Sequence, residues 1–395
     1  MQPLPFALIF TILPLFATPR QQYDETLAQK AVAAERRGDF DAAVTAFDEL
    51  IHNGADSPEL RSNLGIAYFQ LRDYTNALRQ FRLALAKNPD SVPANLFSGL
   101  SLLKLQRPKT ASVYLERAHR AQPTASETTL ALAQAKIALN DTAGAHALYA
   151  EATRLDPQNA EAWYGLGITD RALAEQEFEE SKRSGPESGS EASTNKSRAL
   201  MNASEDAINR AMQLDPGSVR ARMILGESLR IAERYSEAIR EYKAATEQQP
   251  GLAPAWAGLA TSYSASGDEE NALKAAAQAL ALDPNDADTN ALVAAVYLHQ
   301  GDYAKAKPYA ARALEIQPKL SSAHVVLAKI ELAEHRPEKA LPELEAAAKD
   351  DTDGSTYYLL ATTLRQLGRR EDAAAAMQKY KQLHSMHVAA APVSR

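Results

Sequence analysis

From residue 24 onward, apolar and small side chains return in a two-beat pattern. In the stretch that begins at Ala253, the residues Trp256, Leu259, Ala260 and Tyr263 follow one another at helical spacing and share one face. Gly267 and Asp268 close that run, because glycine accepts the left-handed backbone that ends a helix and aspartate can cap the next one. A second run carries Ala272, Ala276 and Ala279 and stops before Asp283-Pro284, since a proline disfavours helix at the residue before it. The predicted unit is helix, tight turn, helix, tight turn.

The unit repeats. Prolines recur at Pro89, Pro123 and Pro157, and again at Pro216, Pro250, Pro284 and Pro318. The interval is 34 residues throughout, except for one of 59, which is 34 + 25 and marks an insertion inside a single repeat. The eighth place of successive repeats holds Ala31, Gly65, Gly99, Ala133, Gly167, Gly226, Ala260, Ala294, Ala328 and Ala361. The twentieth holds Ala43, Ala77, Ala111, Ala145, Ser204, Ala238, Ala272, Ala306, Ala340 and Ala373. Small residues at both places predict close helix–helix approach. The twenty-seventh place is alanine in the interior repeats but Leu50 in the first and Tyr380 in the last, as expected where a neighbour is missing on one side.

These residues carry a family likeness. AEAWYGLG (Ala160 to Gly167), QLDPGS (Gln213 to Ser218) and NLGIAYFQLRDYTNALRQFRLALAKNP (Asn63 to Pro89) resemble the tetratricopeptide repeat. Ten frames fit, starting at residues 24, 58, 92, 126, 160, 219, 253, 287, 321 and 354, so that residues 24–387 form one array. Lys136, Asp170 and Glu331 depart from the pattern, standing where it has tyrosine. The resemblance implies an all-α fold, a right-handed superhelical solenoid of helix-turn-helix repeats whose first helices line a concave face. It also implies that the second, fifth, sixth, ninth, twelfth and thirteenth places of those helices meet a protein or peptide partner. Here those places include Asn63, Ile66, Phe69, Leu96, Phe97, Leu100, Leu103, Tyr164, Ile168, Met223, Ile224 and Arg230. Leu130, Leu298, Val326, Lys329, Tyr358 and Arg365 continue the lining. It is apolar for a surface facing water, which is the mark of an interaction site. Family members that clamp a terminal carboxylate use Lys, Asn and Arg where this chain has Ala28, Val32, Leu96 and Phe97, so the resemblance points away from such a clamp.

Three segments fall outside the repeats. Phe6 to Ala17 is an apolar run too short to span a bilayer, and it reads as a signal peptide over residues 1–17, with a linker at 18–23. The reading that follows is export, to a periplasm or the exterior, or membrane anchoring where the segment is kept. The insertion in the fifth repeat has an acidic start and a Gly/Ser/Pro middle that predict a flexible stretch at about 183–197, with helices extending into both flanks. Residues 388–395 read as a tail.

Composition narrows the chemistry. With 43 Lys and Arg against 50 Asp and Glu, the net charge of −7 argues against nucleic acid as a partner. The absence of cysteine removes disulfides, thiolate metal sites and cysteine nucleophiles. Gly165 and Gly167 lie within a helical pattern and lack the third glycine and the preceding strand of a nucleotide loop. His384 and His387 are a lone close pair, and the carboxylates read as lying on exposed faces. No cofactor, metal or catalytic residue is expected. The function that emerges is a non-catalytic protein–protein interaction scaffold. The alternatives are a substrate-recognition subunit serving a separate enzyme such as a glycosyltransferase, or a structural subunit of an envelope or secretion assembly.

Overall fold

The computed structural model describes residues 19–184 and 190–390. The apolar run ending at Ala17 and its expected cleavage point lie outside them. Among the described residues the chain is helical throughout, with no strand. It divides into two compact units, residues 1–157 and 158–395.

The first unit contains α1 (Pro19–Arg36), α2 (Phe40–His52), α3 (Pro58–Gln70), α4 (Tyr74–Lys87), α5 (Val92–Lys104), α6 (Pro108–Ala121), α7 (Ser126–Ala138) and α8 (Thr142–Leu155). In the second unit the helices are α9 (Ala160–Ser184), α10 (Ser190–Leu214), α11 (Val219–Ile231), α12 (Tyr235–Gln248), α13 (Ala253–Ala265), α14 (Glu269–Leu282), α15 (Ala287–His299) and α16 (Tyr303–Ile316). Then come α17 (Ser321–Ala333), α18 (Pro337–Ala347), α19 (Ser355–Gln366) and α20 (Arg370–Ala390). From the second repeat to the ninth, every first helix starts at the residue that the period predicts. The first repeat differs: α1 begins at Pro19, so most of the expected linker is helix. Proline suits a first helical position, and the Tyr23 hydroxyl donates to Glu49 Oε1 at 2.7 Å, which ties this extra turn to α2. At the other end α20 runs to Ala390, into the expected tail.

Turn chemistry explains why each helix pair folds back. The fifteenth place of nine repeats has positive φ, and glycine fills it at Gly38, Gly267, Gly301 and Gly368. Arg72, Gln106, Asn140, Glu233 and His335 hold the same left-handed conformation without glycine's freedom. Hydrogen bonds from Arg72 N to Phe69 O and from Asp73 N to Tyr68 O close the turn in the manner of a Schellman motif. The next residue caps the second helix: Asp39, Asp73, Asp141, Asp268 and Asp302 each accept a backbone N–H three residues on.

Packing follows the small places. Ala31, Ala43, Ala77, Ala111, Ala145, Ala238, Ala260 and Ala272 are wholly buried. Where the eighth place is glycine, the second helix of the same repeat sends a large side chain against it. A Cβ on Gly65 would lie 2.4 Å from the Phe81 ring, one on Gly99 2.3 Å from Leu115, and one on Gly167 2.7 Å from Ile208. In the seventh and eighth repeats both partners are alanine, Ala260 with Ala276 and Ala294 with Ala310.

Successive repeats are joined by a tie that the period alone does not show. The fourth residue of the first helix reaches back to the carbonyl of the proline that ends the preceding repeat. Asn95 Nδ2 donates to Pro89 O at 2.8 Å, Arg222 Nη2 to Pro216 O at 3.0 Å and Trp256 Nε1 to Pro250 O at 2.9 Å. A donor six residues after each proline is the sequence signal.

In the fifth repeat the insertion lengthens both helices. Of the expected stretch at about 183–197, residues 183–184 and 190–197 are helical, and residues 185–189 lie outside the described residues. Side chains of α10 hold the flanks together: Ser193 Oγ donates to Glu177 O at 3.0 Å and Ser197 Oγ to Ala174 O at 2.9 Å, while Lys196 pairs with Glu177. Nearer the array, Ser204 stands where other repeats have alanine, and its hydroxyl donates to Gly167 O at 2.7 Å.

Candidate functional site

Within each unit the first helices of successive repeats touch one another: α3 with α5 and α5 with α7, then α11 with α13, α13 with α15 and α15 with α17. No two second helices approach comparably among the described residues. First helices therefore form the tighter layer of each unit, and its open face is the candidate site.

In the first unit that face carries Asn63, Ile66 and Phe69 on α3 and Leu100 and Leu103 on α5, all partly exposed. The four apolar residues also pack against the core cluster around Phe81, Leu102 and Leu115. Leu96 and Phe97 do not belong to the surface. They are 3% and 5% exposed and are members of that core. Phe97 meets Phe69 edge-on at 5.2 Å and stacks on Phe81 at 6.3 Å, so its ring links two helix layers and offers a partner nothing. Leu130, at 9% exposure, is buried as well.

In the second unit Tyr164 and Ile168 on α9, and Met223 and Ile224 on α11, are partly exposed and pack on the cluster around Leu225, Tyr242 and Leu259. The Arg220 guanidinium lies 4.4 Å over the Tyr164 ring. Arg230 is engaged within the protein, donating twice to Glu227, at 2.9 and 2.7 Å. Tyr242 donates to the same carboxylate at 3.1 Å, and Arg171 stands 3.9 Å from it. These partners, Arg230 first, hold the Glu227 carboxyl below its usual range, whereas burial raises the Tyr242 hydroxyl. The sequence pattern offered Arg230 as a cation for a partner; the fold uses it to balance Glu227.

Not every carboxylate lies on the exposed faces expected of them: Asp170 is buried and several glutamates are partly so. Glu35, near the end of α1, is half-buried, and burial alone pushes its carboxyl up to about 7. No group of three metal-binding side chains occurs among the described residues, and no described helix is long and apolar enough to cross a membrane. The His384 ring lies tilted against Tyr380 at 5.2 Å, and the side chain of its neighbour His387 lies outside the described residues.

Family models described as tetratricopeptide repeat match residues 29–92, 63–126 and 202–253, then 102–168, 229–296, 264–330 and 297–364, and finally 354–383. The chain belongs to the tetratricopeptide repeat family. Its curated relatives include the BBSome complex member BBS4 of Bos taurus, 33% identical over 143 residues, or 35% of this chain and 27% of the relative. BBS4 of Mus musculus is 32% identical over 157 residues, 38% of this chain and 30% of the relative. The tetratricopeptide chain thus spans 27–30% of the length of the curated relatives it matches. Among solved structures, Pseudomonas aeruginosa pilF is 14% identical with a TM-score of 0.48, over 59% of this chain and 94% of that one.

Proposed function

We propose that this tetratricopeptide chain is a non-catalytic protein–protein interaction scaffold that takes an apolar segment of a partner along the open face of its first helices. The observation that carries this reading is the row Ile66, Phe69, Leu100 and Leu103, partly exposed and held in place from behind by a packed core. Apolar side chains presented contiguously to water mark interaction surfaces, and a layer fixed by buried neighbours loses little freedom on binding. Both curated relatives are described as members of a complex, which supports a role as a subunit that holds other proteins.

The test uses peptides selected from a random library on the full chain. Selected binders should be rich in apolar residues, and Ile66→Glu together with Leu103→Glu should weaken them about tenfold or more while circular dichroism stays helical. Undiminished binding by a folded double variant overturns the reading. Export belongs to the same proposal and rests on the apolar run from Phe6 to Ala17. N-terminal sequencing of protein from its native host should begin at Thr18, and a mature chain that begins at Met1 overturns export with cleavage.

A further inference from the structure

Along the first unit, the twelfth place of the first helices reads Glu35, Phe69, Leu103 and Ile137. Three of these are partly exposed apolar residues on the open face, and the first is a carboxylate. Glu35 is half-buried, and its side chain has no hydrogen bond and no ion pair with any described residue. Several other partly buried carboxylates are answered. Glu241 has Arg222 at 2.9 Å, Glu227 has Arg230, and Glu331 has Lys307 and Arg336. The residues one and two turns before Glu35 on its own face, Ala31, Val32 and Ala28, bring no charge. A carboxylate drawn partly out of water without a partner opposes folding. Its complement is a cation that no described residue supplies.

We propose that Glu35 receives a lysine or arginine side chain of the partner segment, whose apolar residues then follow along Phe69, Leu103 and Ile137. This rests on the groove reading and specifies the partner's chemistry: one cation at the end of an apolar stretch. Packed helices lie about 8–10 Å apart and an extended chain rises about 3.3 Å per residue, so one apolar side chain in about every three meets successive repeats.

The test uses short fluorescein-labelled synthetic peptides, acetylated at the N-terminus, with leucine at every third position and one lysine, placed first in one probe and last in another. Matched probes carry norleucine or glutamate in place of the lysine. On the full chain, the better lysine probe should bind about tenfold or more tighter than its norleucine match, with the glutamate probe weaker than both. Glu35→Gln should abolish the advantage of lysine and leave norleucine binding unchanged. Equal binding of lysine and norleucine probes to the full chain overturns the role of Glu35 and leaves the groove standing. If no probe binds a chain whose circular dichroism is helical, the groove reading falls and this inference falls with it.

Discussion

Phe81→Ala should destabilise the first unit by about 3–5 kcal/mol, the range for emptying the space of a fully buried aromatic ring. Phe81 has no exposed surface, and its ring occupies the space that the missing side chain of Gly65 leaves open. The complementary change, Gly65→Ala, should cost about 1–3 kcal/mol by overpacking, since the new methyl would lie 2.4 Å from the ring with nowhere for it to move. The two changes should not add. In a chain that already has alanine at 81, the methyl at 65 enters vacated space and its penalty should largely vanish, giving a coupling of about 1 kcal/mol or more. Urea unfolding followed by circular dichroism reads this, analysed as a repeat array whose units need not unfold together. Simple additivity would show that the contact across the two helices does not set their spacing.

A second large effect concerns pH. An isolated glutamate titrates near 4.5, and Glu35 in the folded chain near 7. Between those values the folded state holds the proton more readily than the unfolded one, so this group makes the fold progressively less stable as pH rises. Its stabilising contribution is complete below the lower value and gone above the higher one. Glu35→Gln, a neutral mimic of the protonated form, should abolish that slope. Allowing for screening by the solvent that reaches the side chain, Glu35→Gln should gain about 1–2 kcal/mol on the native chain between pH 5 and pH 8. The difference between the two proteins is the quantity to measure. Asp56, held down to about 2 by Arg61 and Lys87, titrates with the opposite sign but equally in both. Parallel stability curves for the two proteins would mean that Glu35 is solvated like an ordinary surface carboxylate.

These two sites show how differently the chain discloses its parts. Gly65 and its counterparts every 34 residues were legible because a glycine or alanine at a fixed helical place has one physical meaning, close approach. The partner side chain, Phe81, stands on the next helix at a fixed interval and was legible as apolar. Glu35 was not legible as buried. Its neighbours in sequence, Ala34 and Arg36, resemble those of many exposed glutamates, and the atoms that take water from it come from packing rather than from the adjacent chain. For Arg230 the pattern shows a cation on the open face with Glu227 three residues before it on the same helix, and only the structure brings the Tyr242 hydroxyl to that carboxylate. At the fifth repeat the composition predicted a flexible stretch with helices extending into its flanks, and only the structure shows Ser193 and Ser197 donating to carbonyls of the facing helix.

By itself the sequence determined the helices, their turns, their number and the frame on which they repeat. Those features depend on backbone preferences and on side-chain spacing within a few residues, which any copy of the unit carries with it. Only the tertiary structure decided which places on the first helices remain open. Ile66 and Leu96 are both apolar and both on that face by period, but Leu96 is covered by the layer packed beside it and Ile66 is not. Accessibility is a sum over neighbours that packing brings together from other helices, and no local window of residues contains it.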